Sequence, residues 1–247
     1  MFTTQTTYST GSSPDSLQAV HVNGYDKPDI IVANAGSNNV GVLLNIGNGT
    51  FSAETTYSTG SGSAPYSVVA VDVNGDGKCD IIVANYGSNN VGVLLNTGNG
   101  TFSAQTTYLT GTGPVELAAA DVNGDGKCDI IVANYGSNNV GVLLNTGNGT
   151  LSAQTIYSTG SGSAPYSVVA VDVNGDGKLD IIVANYGSNN VGVLLNIGNG
   201  TFAAQMTYSA GSGPVCLAAP DVNGDGKPDI IVANSVSSNV GVLLNYC

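Results

Sequence analysis

The residues of this chain best suited to chemistry lie in a short acidic loop that recurs along the sequence. One copy reads DVNGDGKCDI over residues 121–130, and three others begin at Asp72, Asp172 and Asp221. Each follows the pattern Asp-x-Asn-x-Asp-Gly-Lys-x-Asp, so oxygen-bearing side chains alternate and a last aspartate closes the set. Hard oxygen ligands on a short, glycine-bent loop suit Ca²⁺. Plain turns are the alternative, but they do not need carboxylates that repel one another. We therefore predict four calcium sites.

The acidic loop differs from an EF-hand, and its first copy is degenerate. The twelfth position is Val83 in one copy, where an EF-hand needs glutamate. The first copy, HVNGYDKPD, runs from His21 to Asp29, with Tyr25 and Asp26 in place of an aspartate and a glycine. We predict weak or no calcium binding there. A transition-metal site made by His21, Asp26 and Asp29 is the alternative reading.

The composition narrows the possible functions. The 247 residues include 17 acidic side chains, five lysines, no arginine and one histidine, for a formal charge of -12. Such a surface repels nucleic acid and anionic lipid. No apolar run approaches the roughly 18 residues of a membrane-spanning helix, and the N-terminus lacks a signal peptide's basic and apolar regions. With a single histidine and no reactive cysteine context, the usual acid, base and nucleophile sets are missing. We predict no nucleic-acid partner, no membrane insertion and no enzyme activity.

The chain is built from repeats of about 50 residues. FSAETTYSTG at residue 51 recurs as FSAQTTYLTG at 102, and the units start near residues 2, 51, 102, 151 and 202. Each unit contains apolar or alternating segments such as SVVAV, DIIVAN, VGVLLN and FSAETTY, separated by Gly- and Asn-rich turns. Four antiparallel strands per repeat are typical of propeller blades. The pattern predicts an all-β fold, with one five-bladed β-propeller domain over residues 1–247.

The two ends of the sequence predict how the ring closes. The last unit stops at VGVLLNYC, after its third strand, whereas Phe2 to Tyr8 reads as a fourth strand without the preceding three. We expect the N-terminal strand to pair beside residues 240–245 and complete the C-terminal blade, which would leave no open sheet edge.

The motifs DVNGDGKPDIIVAN, VGVLLN and GNGTF resemble the FG-GAP, or VCBS, repeat family, known from the β-propellers of integrin α subunits. The resemblance covers essentially the whole chain. It implies calcium in the acidic loops, a ligand surface on the opposite face, and an extracellular or cell-surface location; some fungal lectins of related build bind sugars. The side chains and the lysine carbonyls of four loops would then hold calcium: Asp72, Asn74, Asp76, Lys78 and Asp80; Asp121, Asn123, Asp125, Lys127 and Asp129; Asp172, Asn174, Asp176, Lys178 and Asp180; Asp221, Asn223, Asp225, Lys227 and Asp229.

The face opposite the acidic loops carries tyrosines and asparagines in the YGSNN turns and the TGSGSAPYS connections. Such side chains stack on and hydrogen-bond a sugar ring, or form a protein contact surface. The alternative is that the tyrosines pack between blades and the asparagines hold turns. The candidate ligand-binding residues are Tyr66, Tyr86, Asn89, Tyr135, Asn138, Tyr166, Tyr186 and Asn189.

Together these features predict a non-enzymatic, calcium-stabilised binding or adhesion module with a protein or glycan ligand. A carbohydrate-binding lectin is one alternative. Another is a repeat scaffold without a specific ligand, because residues 58–101 and 158–201 differ at only two positions, as expected after recent duplication or engineering. The oligomeric state is left open, with a monomer as the default.

Overall fold

The repeat units form separate antiparallel sheets in a computed structural model that describes residues 4–246. Their β-branched segments favour strands, and Asn and Gly residues with positive φ make the turns between them, as at Asn38 (φ 53°) and Gly49 (φ 74°). There are four four-stranded sheets and one three-stranded sheet in the described part of the chain. We call these five sheets blades 1 to 5, in chain order.

The strand bounds repeat from blade to blade. Blade 1 contains β1 (Pro14–Val20), β2 (Asp29–Asn34), β3 (Asn39–Leu43), β4 (Asn45–Gly47), β5 (Thr50–Phe51) and β6 (Thr55–Ser58), with a 3-10 turn at Ala35–Ser37. Blade 2 contains β7 (Pro65–Val71), β8 (Asp80–Asn85), β9 (Asn90–Leu94), β10 (Asn96–Gly98), β11 (Thr101–Phe102) and β12 (Thr106–Leu109). Blade 3 contains β13 (Pro114–Ala120), β14 (Asp129–Asn134), β15 (Asn139–Leu143), β16 (Asn145–Gly147), β17 (Thr150–Leu151) and β18 (Thr155–Ser158).

The last two blades follow the same plan. Blade 4 contains β19 (Pro165–Val171), β20 (Asp180–Asn185), β21 (Asn190–Leu194), β22 (Asn196–Gly198), β23 (Thr201–Phe202) and β24 (Met206–Ser209). Blade 5 contains β25 (Pro214–Ala218), β26 (Ile230–Asn234) and β27 (Asn239–Leu243). No helix in the described residues is long and apolar enough to cross a membrane.

The strand register places the two candidate sites at opposite ends of each blade. In blade 1 the sheet order is β1-β2-β3-β6, and the first two strands pair from Pro14 with Asn34 to Val20 with Asp29. The acidic loop joins β1 to β2 at one end, and the turn after β2 lies at the other. A strand of six residues separates these ends by about 20 Å.

The core lies between neighbouring blades. Side chains of the second strand alternate between the two faces: Ile81 and Val83 pack against blade 1, and Ile82 and Ala84 pack against blade 3. All four are fully buried. The continuous apolar segment DIIVAN of blade 2 is therefore covered on both faces, as a run of apolar residues without alternation favours.

The outer strand is shorter than its alternating pattern suggests. Phe51 pairs with Asn45 in a small hairpin, and β6 begins only at Thr55. Between them, Ser52 folds back on Leu44: the Leu44 N–H donates to Ser52 Oγ at 3.0 Å, and the Ser52 N–H donates to the Leu44 carbonyl at 2.8 Å. These bonds interrupt the strand, so blades 1 to 4 each carry a separate two-stranded hairpin, and this break in the outer strand is absent from the sequence prediction.

The ring closure expected from the chain ends is not seen in the described residues. Residues 4–10 form no strand, and the sheet of blade 5 has the order β25-β26-β27 with no described strand beside β27. Phe2, at the start of the expected closing strand, lies outside the described residues. Repeated antiparallel blades are thus observed, whereas a closed ring of five blades stays a prediction.

Candidate functional sites at the two ends of the blades

In blade 2, the first aspartate of the acidic loop organises the loop backbone. Asp72 Oδ1 accepts hydrogen bonds from the Gly75 N–H at 2.7 Å and the Asn74 N–H at 3.1 Å. Asp72 Oδ2 accepts a bond from the Gly77 N–H at 2.7 Å. The positive φ angles of Gly75 (78°) and Gly77 (80°) turn these N–H groups inward. The loop is therefore wrapped around one carboxylate.

The second aspartate of the loop is exposed and pairs with the loop lysine. Asp76 Oδ2 lies 2.8 Å from Lys78 Nζ, and Asp76 Oδ1 accepts the Lys78 N–H at 3.0 Å. These hydrogen bonds from Lys78 lower the pKa of Asp76 from its usual value. The Asn74 side-chain oxygen accepts the Asp76 N–H at 2.9 Å. Two of the predicted calcium ligands are thus held within one hydrogen-bonded turn.

The closing aspartate, Asp80, is fully buried. Asp80 Oδ2 accepts the Val73 N–H at 3.0 Å and Asp80 Oδ1 accepts the Asn96 N–H at 2.7 Å. Burial raises the pKa of Asp80; these two bonds oppose the rise, and the nearby charges of Asp76 and Asp72 add to it. This carboxylate therefore ties the loop to the end of the third strand, a structural task that the sequence analysis did not assign to it.

Blades 3, 4 and 5 repeat this loop. Their closing aspartates Asp129, Asp180 and Asp229 are also fully buried. Lysine–aspartate pairs recur as Lys127 with Asp125 and Lys178 with Asp176, both at 2.9 Å. In the part of the chain that the structure describes, no group of three or more His, Cys, Asp or Glu side chains stands ready to hold a metal ion. The predicted ligands share each loop, but their oxygens are turned toward the loop's own N–H groups and lysine.

An asparagine at the end of the third strand links neighbouring blades, and the sequence analysis did not single it out. Asn96 Nδ2 in blade 2 donates to the Val22 carbonyl of blade 1 at 2.9 Å and to the Cys79 carbonyl at 3.0 Å. Its backbone N–H binds Asp80. The LLN motif that ends the third strand in every unit is the signal that could have identified this residue.

The degenerate loop of blade 1 keeps only part of this arrangement. Asp29 is fully buried and accepts the Val22 N–H at 2.9 Å, as the closing aspartates of the other loops do. His21 and Tyr25 are exposed, and Tyr25 presents 72% of its surface to solvent. The described residues give no ligand cluster around His21.

At the opposite end of the blades, the predicted tyrosines form a stacked pair in blade 2 and a group of three rings across blades 3 and 4. Tyr66 and Tyr86 stack with ring centroids 4.6 Å apart. Tyr135 meets Tyr166 edge to face at 6.1 Å and Tyr186 at 6.4 Å. None of the five hydroxyl groups has a hydrogen-bond partner among residues 4–246. We call this cluster the tyrosine face.

The tyrosine face is partly open to solvent and carries negative charge at its edge. Tyr86 and Tyr166 are 36% and 39% exposed. Burial raises the pKa of Tyr166, and the Asp15 and Glu116 charges contribute to the rise. Glu116 Oε2 accepts the Val168 N–H at 3.0 Å, and burial raises its pKa. Asp15 and Glu116 are therefore additional candidates at this face.

The asparagines predicted to accompany the tyrosines hold turns between blades. Asn89 and Asn138 adopt positive φ angles of 55°. Their side-chain oxygens accept the N–H groups of Gly113 at 2.8 Å and Ala164 at 2.9 Å in the following blade. Asn189 does the same with Gly213 at 2.9 Å. The structure thus gives these three residues a positioning task beneath the aromatic surface.

Comparisons with known proteins identify the repeat and the fold. The model of the FG-GAP-like repeat matches residues 21–83, 72–132, 121–183 and 172–232. No curated protein matches the chain in sequence.

Three solved structures illustrate the fold-level similarity. An Agrocybe aegerita lectin that recognises non-reducing terminal N-acetylglucosamine is 24% identical, with a TM-score of 0.62 over 93% of this chain and 66% of the lectin. Virginiamycin B lyase from Staphylococcus aureus is 16% identical, with a TM-score of 0.64 over 94% of this chain and 67% of the lyase. The V. cholerae biofilm matrix protein Bap1 is 22% identical, with a TM-score of 0.59 over 96% of this chain and 40% of Bap1. The chain spans about two thirds of the lectin and the lyase, and at these identities the likeness shows the fold alone.

Proposed function

The chain belongs to the FG-GAP-like repeat family, and we propose that it is a non-enzymatic binding module whose ligand surface is the tyrosine face. The observation that carries this proposal is the set of five tyrosines, which form a stacked pair and a group of three rings while their hydroxyls find no partner among the described residues. Aromatic rings with free hydroxyls supply apolar contact area and hydrogen bonds together, as ligand and protein interfaces require.

The absence of catalysis is proposed from the side chains that this face offers. Tyr166, Asp15 and Glu116 supply hydroxyl and carboxylate groups, but the chain has no arginine and its single histidine belongs to the acidic loop at the other end of blade 1. The Glu116 carboxylate is already bonded to the Val168 N–H. Because all five lysines and the histidine lie in the acidic loops, this face offers hydroxyl and carboxylate groups without a cationic acid or an imidazole base, which favours binding over chemistry.

A glycan and a protein are the two ligand classes that suit the tyrosine face. Exposed rings such as Tyr86 and Tyr166 provide flat faces for stacking on a sugar, which keeps the lectin function as a second candidate. The same rings serve as anchors in protein interfaces, where tyrosine is enriched. The third possibility is a scaffold without a ligand. In that case, substituting these tyrosines would change the stability of the protein and no binding activity.

A matched pair of variants tests the ligand surface. We expect the folded protein, in calcium buffer, to bind a discrete set of sugars on a glycan array or a defined protein ligand. Tyr166→Ala should abolish this binding because it removes a partly exposed ring from the centre of the cluster. Tyr25→Ala removes an exposed tyrosine at the opposite end and should leave binding unchanged. Equal binding by both variants, or no ligand in either class, would reject the proposal.

We also propose that the four complete acidic loops bind Ca²⁺. The donor types support this: each loop brings carboxylate and amide oxygens together on one turn, and like charges such as Asp72 and Asp76 raise the pKa of their buried neighbour Asp80. A bound cation would relieve this repulsion and displace the lysine ammonium from Asp76. Calcium sites of extracellular modules work at about 10⁻⁴ to 10⁻³ M, which fits the extracellular or cell-surface location that we propose.

Counting ions tests the calcium proposal. Isothermal titration should find four sites, and EDTA should lower the melting temperature of calcium-loaded protein by many degrees because the ions bind only the folded loops. Asp125→Ala should remove about a quarter of this calcium effect, whereas Tyr25→Ala in the degenerate loop should remove none. A melting temperature indifferent to EDTA, or five equivalent ions, would contradict the proposal.

A further inference from the structure

We infer that the free side of blade 5 and the N-terminal side of blade 1 are the two halves of one blade-to-blade interface, which a second copy of this chain joins head to tail. This inference rests on three features: the free edge strand β27, a cavity beside it, and the placement of residues 4–10. Each of these features matches a feature found inside the chain, where consecutive blades pack on each other.

The side of blade 5 that follows the last described strand is apolar and uncovered. Val240 and Val242 are 66% and 53% exposed. Their counterparts in blade 3, Val140 and Val142, are 0% and 1% exposed because an outer strand and blade 4 cover them. A sheet edge that presents valines and unpaired backbone groups is a template for pairing with another strand.

Blade 5 also keeps an empty place for the side chain of an outer strand. In blade 3, Gln154 lies over Gly141, where any Cβ would collide with it, and Asn134 Nδ2 donates to Gln154 Oε1 at 3.0 Å. Gly241 has no such cover among the described residues. The buried Asn234 Nδ2 donates only to Asn239 Oδ1, at 2.9 Å. An outer strand with a glutamine or glutamate at this position would fill the space over Gly241 and accept a hydrogen bond from Asn234 Nδ2.

A cavity of about 380 Å³ lies next to this edge, between blades 4 and 5, and apolar side chains dominate its lining. In an interior interface, Tyr157 of one outer strand meets Phe202 of the next blade's hairpin edge to face at 5.3 Å. Tyr208 is the corresponding outer-strand tyrosine of blade 4, and it lines the cavity without an aromatic partner in the described residues. The lining includes Val173, Leu195, Tyr208, Ile230, Leu243 and Leu244.

The N-terminal segment has the sequence and the placement of an outer strand. QTTYS at residues 5–9 matches ETTYS at residues 54–58. The Tyr8 ring meets Phe51 edge to face at 5.5 Å and 81°, nearly the geometry of Tyr57 with Phe102, at 5.4 Å and 81°. Because Tyr57 sits on the outer strand of the preceding blade, residues 5–9 stand where such a strand would lie if another blade preceded blade 1.

Polar groups at the two ends complement each other in the same way. Inside the chain, the end-of-strand asparagine of one blade donates to a valine carbonyl of the preceding blade, as Asn145 does to Val73 at 3.0 Å. At the first end, Asn45 Nδ2 donates only within its own blade, to the Pro28 carbonyl at 3.1 Å. At the last end, the Val222 carbonyl has no partner among residues 4–246. Joining the ends would pair these two groups.

The interior blades define the register of the docked strand. In blade 1, β6 pairs with β3 as Ser58 with Asn39 through Thr55 with Val42. By the same spacing, Ser9 to Thr6 of one copy would pair with Asn239 to Val242 of another, and Gln5 would cover Gly241. In the structure, residues 4–10 lie against blade 1 of their own chain, and no described strand of that chain pairs with the open side of β27; we therefore assign the pairing strand to a second molecule. Such a head-to-tail contact can propagate to larger assemblies.

Engineered disulfides test both the register and the partner. The variant T6C/V242C is made after replacing the four native cysteines by residues from equivalent repeat positions or by serine. We expect mild oxidation to join different chains, giving a dimer or ladder on a non-reducing gel. The control T6C/L109C places its second cysteine at an equally accessible side chain, Leu109, which is 81% exposed and distant from the edge. This control should stay at 24.6 kDa.

Light scattering supplies an independent measurement on the unmodified chain. We expect the mass to rise above 24.6 kDa with concentration, and Val242→Lys to return it to that value because a charged edge blocks strand pairing. Leu109→Lys, an equal change at an exposed site elsewhere, should have no effect. A T6C/V242C disulfide formed within one chain would show closure of the ring on itself and overturn the inference. A monomer at all concentrations without a cross-link would overturn it too.

Discussion

The acidic loops of blades 1 and 2 are held by equivalent closing aspartates, Asp29 and Asp80, although only the blade 2 loop has the complete motif. Asp29 accepts the Val22 N–H at 2.9 Å and the Asn45 N–H at 2.7 Å. Asp80 accepts its two backbone N–H groups at 3.0 and 2.7 Å. The aspartates missing from blade 1 are therefore not needed to connect its first two strands. The closing carboxylate maintains the fold, whereas Asp72 and Asp76 bond to N–H groups and the lysine within their own loop.

The two loops differ where the first aspartate acts. In blade 2, Asp72 draws in the Gly77 N–H at 2.7 Å, and Gly77 adopts a φ of +80° to present it. Blade 1 has Asp26 at that position, without a positive φ, and the Lys27 N–H donates instead to the Tyr25 carbonyl at 2.8 Å. The turn of blade 1 thus lacks both the carboxylate and the positive φ that shape the turn of blade 2.

The largest effect should come from the residue that the two loops share. Asp80→Asn places an amide NH₂ against a backbone N–H, because Asp80 uses one oxygen for Val73 and the other for Asn96. We expect a loss of about 3 kcal/mol in the free energy of unfolding, measured by denaturant titration in EDTA. Asp29→Asn should cost a similar amount in blade 1. A much smaller loss for Asp29→Asn would show that the two carboxylates are not equivalent.

A smaller effect should follow from restoring the missing positions. The triple change His21→Asp, Tyr25→Asp and Asp26→Gly makes the blade 1 loop identical to DVNGDGKPD of blade 5. We expect a fifth calcium ion, counted by titration, and about 1.4 kcal/mol of added stability at millimolar calcium if the dissociation constant is about 10⁻⁴ M. Asp26→Gly alone is the control and should add no ion. An unchanged count in the triple variant would mean that the motif is not sufficient for binding.

The smallest effect should be on the pH dependence of the calcium-free protein. Burial raises the pKa of Asp80, Asp129 and Asp180, so the folded chain holds these protons to a higher pH than the unfolded chain does. Their contribution to stability should then fall as the pH rises through the raised pKa values, and recover on acidification. NMR titration of the carboxyl groups measures this directly. Asp76→Asn should lower the pKa of Asp80, because it removes a nearby like charge; no change there would contradict the assignment.

Much of the fold follows from the sequence because each repeat encodes its own sheet. The apolar run at residues 80–85 and the Gly- and Asn-rich turns predict the strands locally, and the repetition predicts that neighbouring blades cover both faces of them. The break that separates the hairpin at Asn45 to Phe51 from β6 was not predicted, since it depends on Ser52 folding back on the Leu44 backbone. A pattern of alternating residues carries no information about such a bond.

The candidate sites were also predicted only in part. The sequence alone identified the acidic loops and the tyrosines, because the spacing of oxygen-bearing residues and the residue types can be seen in a single repeat. Only the tertiary structure showed that Asp80 is buried beneath the third strand, that Asn89 positions the following blade, and that Asn96 bridges two blades. These roles depend on contacts between residues far apart in the chain, which a single repeat cannot specify.

The two ends of the chain show most clearly which features the sequence determines and which only the tertiary structure decides. The sequence predicts an outer strand at residues 5–9 and another beside β27, because each repeat supplies the pattern for the next, but residues 4–10 form no strand in the structure. Which β27 they complete is decided by how the blades pack in three dimensions, since identical strand edges pair equally well within a chain or between chains. In the structure Tyr8 rests on Phe51 while Val240 stays 66% exposed, so the described residues of one chain do not bring these two features together.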